Sequence, residues 1–384
     1  MSAIATVMEV LRRFLPQFLK TAPALSKPQQ RAIWAITHCR TPALGGSAYA
    51  CQDCGQTHFA FHSCNHKACP QCGRQATAQW IQRQWEKRVN APYFLVTFTL
   101  PSELRANFFG PLAKEAYDLF FAAASGALTE KLATDKGLRA QVSGFIAALH
   151  TWNQRLEFHP HIHCLVPGAG LNAHGQPVRV KQAKFLVYLP HLQAAFRQRM
   201  RCLMEASGWQ ADPVIWTKDW GVHIQPAGSG ACALKYLGAY VARTAITDAR
   251  ILDVSEDSVT FRWKDRSNHN RRETLTLPGV EFVRRYLRHV LPIGLRSVRY
   301  YGFCHPAAKA SRMRVQFHTG MPVAFGATDW VRAADLGSCP RCPNCGGPTR
   351  LILRIQSLWR KRGPPSGQRP NPAPRSRTST SMAA

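Results

Sequence analysis

Two periods of apolar and polar residues run through this chain. Tyr93 to Leu100, Val142 to Trp152 and Phe158 to Val166 are nearly continuous apolar or β-branched runs, and Pro101 and Pro167 close the first and last. Runs of that length and composition predict buried strands. Trp220 to Gln225 predicts a shorter one. Polar and apolar residues alternate from Asp253 to Leu277, as in a hairpin. A three-and-four spacing predicts helices over 5–38, 76–90, 110–134, 189–207 and 282–290. In the first, Val10, Leu11, Phe14 and Phe18 form a stripe opposite Arg12, Arg13 and Lys20. Strands and helices interleave without a βαβ repeat, so the expected class is α+β with a mainly antiparallel sheet.

Charge narrows the partners. The chain of 384 residues carries 50 Lys and Arg against 21 Asp and Glu, a formal charge of +29. An excess that large calls for a polyanion, with nucleic acid first. No apolar stretch approaches the roughly 20 residues that span a bilayer, and the N-terminus lacks a signal-peptide pattern. A cytoplasmic protein without a membrane partner is the expectation.

Seven of the 13 cysteines lie in Cys-x-x-Cys-type clusters, which in a cytosolic chain point to zinc. Cys51, Cys54, Cys69 and Cys72 form two knuckles, and four thiolates suit one tetrahedral structural zinc with no open position for catalysis. Cys39, Cys64, His58, His62 and His66 are alternative or additional ligands. Cys339, Cys342 and Cys345 form a further cluster without an obvious fourth ligand.

Residues two apart on a strand share a face, so His161 and His163 point together while Ile162 turns inward. Two imidazoles on one face of an apolar strand suit a metal ion. Gln154 is the first choice for a third ligand and Glu157 the second, with His150 and His159 also within reach. Mg²⁺ or Mn²⁺ there would act as a Lewis acid. Tyr236 and Tyr240 stand four apart in a helical stretch and share a face. A phenolate attacking a phosphodiester gives a 5′-phosphotyrosine, with Lys235 or Arg243 lowering the phenol pKa or neutralising the phosphate. Acidic residues are too few and scattered for a carboxylate-triad nuclease.

Several stretches together resemble the two-tyrosine HUH rolling-circle transposases of insertion sequences, the IS91-like family. They are Val96–Pro101, Leu149–Trp152, His159–Gly168, Leu234–Leu237, Tyr240–Arg243 and His289–Pro292, in family order across roughly 40–305. The resemblance implies a ferredoxin-like antiparallel nicking-and-joining domain, metal binding by His161 and His163, and attack by Tyr236 and Tyr240. It implies single-stranded and hairpin DNA ends as partners, host replication machinery beside them, and a bacterial nucleoid-associated setting. Ala68 stands where family members often carry His, which favours the four-cysteine reading. The expected organisation is a helical, zinc-binding, DNA-binding domain over 1–90 and a catalytic domain over 91–302. A Cys-containing segment over 303–359 and a disordered basic tail over 360–384 follow. The alternatives are a zinc-dependent nucleic-acid-binding protein without catalysis and a plasmid replication-initiator relaxase.

Overall fold

Local capping divides the first predicted helix in two. In α1 (Val7–Thr21) the Thr6 hydroxyl accepts from the Glu9 N–H at 3.1 Å, and the Glu9 carboxylate reaches back to the Thr6 N–H. A second box at Ser26 and Gln29, with Pro28 in the first turn, starts α2 (Lys27–Thr37). The structure is a computed structural model that describes residues 6–22, 24–72, 80–241, 245–265, 268–321 and 340–357. Over 230–241 it describes the backbone, but not the side chains of Ala233, Lys235, Tyr236, Ala239, Tyr240 and Val241. The expected basic tail and Cys339 lie outside the described residues.

Strands β1 (Gly46–Cys51) and β2 (Thr57–Phe61) follow, then β3 (Tyr93–Thr99) and α3 (Ala113–Thr134). Next come β4 (Gly144–Trp152), β5 (Phe158–Pro167), the short pair β6 (Ala169–Leu171) and β7 (Pro177–Arg179), and α4 (Leu189–Ala206). The rest are β8 (Val222–Pro226), α5 (Gly230–Val241), β9 (Ile251–Val254), β10 (Ser258–Asp265), β11 (Arg271–Pro278), α6 (Gly279–Arg288), β12 (Val298–Gly302), α7 (Lys309–His318) and β13 (Thr349–Ile355). The α+β, antiparallel expectation holds.

The apolar runs form the middle of a five-stranded antiparallel sheet ordered β12-β4-β5-β3-β8. Because side chains alternate, the sheet has two different faces. One carries Phe94, Val96, Phe98, Phe145, Ala147, Ile162 and Cys164, packed with Phe120 and Leu128 of α3 and Phe196 and Met200 of α4. Phe98 and Phe196 meet edge to face at 5.0 Å. Each fully buried aromatic of this kind contributes about 1.5–3 kcal/mol of transfer free energy. On the opposite face Tyr93, Ile146, Ala148 and Leu165 pack with Leu234 and Leu237 of α5. That helix covers one end of the face, and the histidines occupy the other.

A second core joins α1 and α6 to the meander β9-β10-β11. Gly279 lets the two helices meet: a Cβ there would lie 2.2 Å from the Phe14 ring.

The chain divides into two compact units. One comprises 1–39 and 63–338. The other comprises 40–62 and 339–384, and its described part is a three-stranded sheet ordered β13-β1-β2. The segment expected as one domain over 1–90 is thus shared between two bodies, and the one expected over 303–359 likewise. No described helix is long and apolar enough to cross a membrane.

Candidate active site

His161 and His163 extend from the same side of β5, and Ile162 between them is fully buried in the opposite core. Antiparallel register sets His161 opposite His150 of β4, and His163 opposite Thr97 of β3. The ligand nitrogens of His150, His161 and His163 lie within 4.8 Å of one another, a separation compatible with one shared metal ion. His150 and His163 are 2% and 5% exposed. Imidazoles so far from water need partners. His161 Nδ1 lies 2.7 Å from the His159 carbonyl, which fixes the tautomer that presents Nε2 as an acceptor. His163 Nδ1 lies 2.9 Å from the Thr97 hydroxyl. Trp152 stacks on the His150 ring at 4.9 Å.

The three histidines line a cavity of about 960 Å³. Thr99, His223 and Gln225 line it from the neighbouring strands, and Arg155, Arg250, Lys264 and Asp265 from the loops and the β10–β11 hairpin. Three cationic side chains against one carboxylate favour an anion. Gln154 also lines the cavity, and its backbone carbonyl accepts from the Arg250 guanidinium. Glu157 is committed elsewhere: it accepts from Asn153 Nδ2 at 2.6 Å and pairs with Arg155 at 3.4 Å. These contacts hold the β4–β5 turn, where Leu156 takes φ +60° with its side chain fully buried.

The turn is supported from below by His289. Its Nε2 lies 3.2 Å from the Leu156 carbonyl and its Nδ1 3.2 Å from the Thr151 hydroxyl. Burial pushes its pKa down to about 4, so the ring is neutral.

Lys235, Tyr236 and Tyr240 fall within α5, with the two tyrosine positions one helical turn apart, and their side chains lie outside the described ones. The helix backbone packs against β3, β4 and β5, the strands that carry Thr97 and the three histidines. On another side, Gly238 lets the helix approach the helical 80–85 stretch, since a Cβ there would lie 2.4 Å from Ile81 Cγ1.

The cysteines gather in two separate groups. Cys39, Cys64, Cys69 and Cys72 form one, with Cys72 Sγ 3.5 Å from Cys39 Sγ and 3.6 Å from Cys64 Sγ. Cys51, Cys54, Cys342 and Cys345 form the other, with Cys51 Sγ 3.5 Å from Cys345 Sγ and Cys54 Sγ 3.8 Å from Cys342 Sγ. The edge of a tetrahedron with zinc–sulfur distances near 2.3 Å is about 3.8 Å, so both groups fit zinc. The Cys54 backbone N–H lowers the Cys51 thiol to about 7, which favours the thiolate a metal needs.

A family model described as "Transposase zinc-binding domain" matches residues 10–100, and one described as "Putative transposase" matches residues 144–312. "Putative transposase y4qJ" of Sinorhizobium fredii is 37% identical over 318 residues, spanning 77% of this chain and 79% of that protein. The chain belongs to the IS91-like transposases. The transposase for insertion sequence element IS801 of Pseudomonas savastanoi pv. phaseolicola is 28% identical over 284 residues, 69% of this chain and 67% of that protein. No solved structure matches. Membership makes DNA the partner of this transposase, and its zinc-binding domain together with the cysteine clusters supports structural zinc.

The expected zinc set is corrected by the fold of this transposase. Cys51 and Cys54 do not share a site with Cys69 and Cys72, because the two knuckles lie in different units and each closes on other cysteines. Of the third ligands expected beside His161 and His163, with Gln154 first and His150 among the others, the strand register brings His150 to them. The sequence signal for His150 is its position two residues before Trp152 on a strand that is otherwise apolar up to it. His223 on β8 and the Thr97 contact carry no distinctive sequence signal.

Proposed function

We propose that this transposase nicks and rejoins single-stranded DNA at the ends of its insertion sequence through 5′-phosphotyrosine intermediates, in rolling-circle transposition. The observation that carries the reading is the meeting of His150, His161 and His163 on the sheet face that the backbone of α5 packs against. In this reading the three imidazoles hold Mg²⁺ or Mn²⁺, which when bound supplies Lewis-acid polarisation of the scissile phosphate. Gln154, beside them in the cavity, is the alternative third ligand. Arg155, Arg250 and Lys264 attract the phosphate backbone.

Tyr236 Oη, or Tyr240 Oη, attacks the phosphorus and loses its proton. The bond to the 3′ oxygen breaks, and that oxygen leaves as a 3′-hydroxyl. The new phosphotyrosine keeps the energy of the broken bond, so the reverse attack by a 3′-hydroxyl reseals DNA without ATP. Lys235 stands next to Tyr236 in sequence and favours the phenolate electrostatically. A second tyrosine allows a second strand to be cut while the first remains occupied.

The test is to incubate the full chain and Mn²⁺ with 3′-labelled single-stranded DNA carrying the element's ends. A protease-sensitive, slow-migrating adduct is expected, and it should vanish in the Tyr236→Phe/Tyr240→Phe double variant and in His161→Ala. Strand cleavage that survives loss of both tyrosines would mean that water is the nucleophile.

A further inference from the structure

We propose that Cys51, Cys54, Cys342 and Cys345 hold a second structural zinc ion. It is distinct from any held by Cys39, Cys64, Cys69 and Cys72, and it clasps the residue 40–62 segment to the residue 340–357 segment. The match to the zinc-binding family model ends at residue 100, so half of this ligand set lies outside it.

The two halves are built alike. Each is a Cys-x-x-Cys-Gly turn. The N–H of the first cysteine donates to the carbonyl five residues on: Cys51 to Gln56 at 2.9 Å, Cys342 to Gly347 at 2.9 Å. The glycine N–H donates back to the carbonyl of the first cysteine: Gly55 to Cys51 at 3.1 Å, Gly346 to Cys342 at 2.8 Å. Both glycines need positive φ, +71° and +75°. A turn repeated in this way directs two sulfurs to one side, and facing two such turns makes a tetrahedral S₄ site.

The turns also interlock. The Gln52 N–H donates to the Pro348 carbonyl at 3.0 Å. A Cβ on Gly347 would lie 2.2 Å from the Asp53 carboxylate. His58 Nε2 lies 3.0 Å from Cys342 Sγ, placed to donate to a thiolate. The sulfur contacts of 3.5 and 3.8 Å are far longer than a disulfide bond.

Energetics call for such a clasp. β2 and β13 are mostly exposed, including Phe59, Ile352 and Leu353. None of the hydrophobic core clusters draws on the described residues of this unit. A sheet this small cannot offset its ordering entropy by burial, and metal binding is the usual substitute. On loading, each cysteine gives its thiol proton to solvent as its sulfur bonds to zinc.

The test is elemental analysis of the purified full chain, combined with alkylation mapping of its thiols by mass spectrometry. Two zinc ions per chain are expected, falling to one in Cys342→Ser/Cys345→Ser with Cys39, Cys64, Cys69 and Cys72 still shielded. In the wild type, Cys51, Cys54, Cys342 and Cys345 should resist alkylation while exposed Cys202 and Cys232 react. A chelator should then unmask the four as a set. One zinc per chain in the wild type would overturn the proposal, and so would alkylation of Cys342 and Cys345 as fast as Cys202. The wild-type measurements decide even if the variant fails to fold.

Discussion

Thr97 and His163 face each other across the β3–β5 register, and the Thr97 hydroxyl sits 2.9 Å from His163 Nδ1. A contact of this kind orients the ring and sets which nitrogen is presented to a metal. Thr97→Val keeps the shape and removes the oxygen. It should weaken Mn²⁺ binding by about 10–100-fold, read as a shift in the metal concentration that half-saturates nicking. Thr97→Ser should restore most of it. Equal loss in both variants would point to packing instead.

His150 and Gln154 both line the cavity beside His161 and His163, and their variants should separate. His150→Ala is expected to abolish adduct formation at millimolar metal while single-stranded DNA binding persists. Gln154→Ala should retain most of the activity. Three imidazoles also favour Mn²⁺ over Mg²⁺, so Mn²⁺ should support nicking at lower concentration. The reverse ranking of the two variants would return Gln154 to the ligand set.

His289 makes stability depend on pH. Its pKa is about 4 in the fold against 6.5 ordinarily. Between those values the unfolded chain binds a proton that the folded one refuses. Stability is therefore full above about pH 6.5 and falls as pH drops toward 4, by about 3 kcal/mol from this group. Urea midpoints of the full chain at pH 7 and 4.5 measure it. His289→Gln should flatten that part of the profile. Burial, with the Trp152 and Phe158 rings alongside, lowers the pKa, the Leu156 carbonyl works against that, and the Arg288 charge lowers it further.

Gly238 holds α5 close to Ile81. Gly238→Val inserts atoms into space already filled and should cost about 1–3 kcal/mol. The checks are a urea midpoint and the rate of adduct formation, both expected to fall together because α5 carries the two tyrosines. Unchanged stability would show that Ile81 moves aside freely.

The charge of +29 should dominate DNA affinity. Binding of a single strand should fall steeply and log-linearly with salt, each neutralised phosphate adding about 0.7 to the slope. A flat response would assign the charge another purpose.

Features with a short repeat were legible in the sequence. His161 and His163 share a face because a strand repeats every two residues, and Ile162 goes to the core for the same reason. Tyr236 and Tyr240 fall in one helix because of the spacing around Leu234 and Leu237. Each Cys-x-x-Cys is a local turn, and the excess of Lys and Arg needs no fold to be counted. Tertiary structure alone decided which distant pieces meet. His150 joins the histidine pair through the β4–β5 register, which a shift of one residue would have undone. Cys51 and Cys54 close on Cys342 and Cys345, 288 or more residues away, and Cys69 and Cys72 close on Cys39 and Cys64. Every Cys-x-x-Cys turn offers the same two sulfurs, so only the packing within each unit sets which pairs converge.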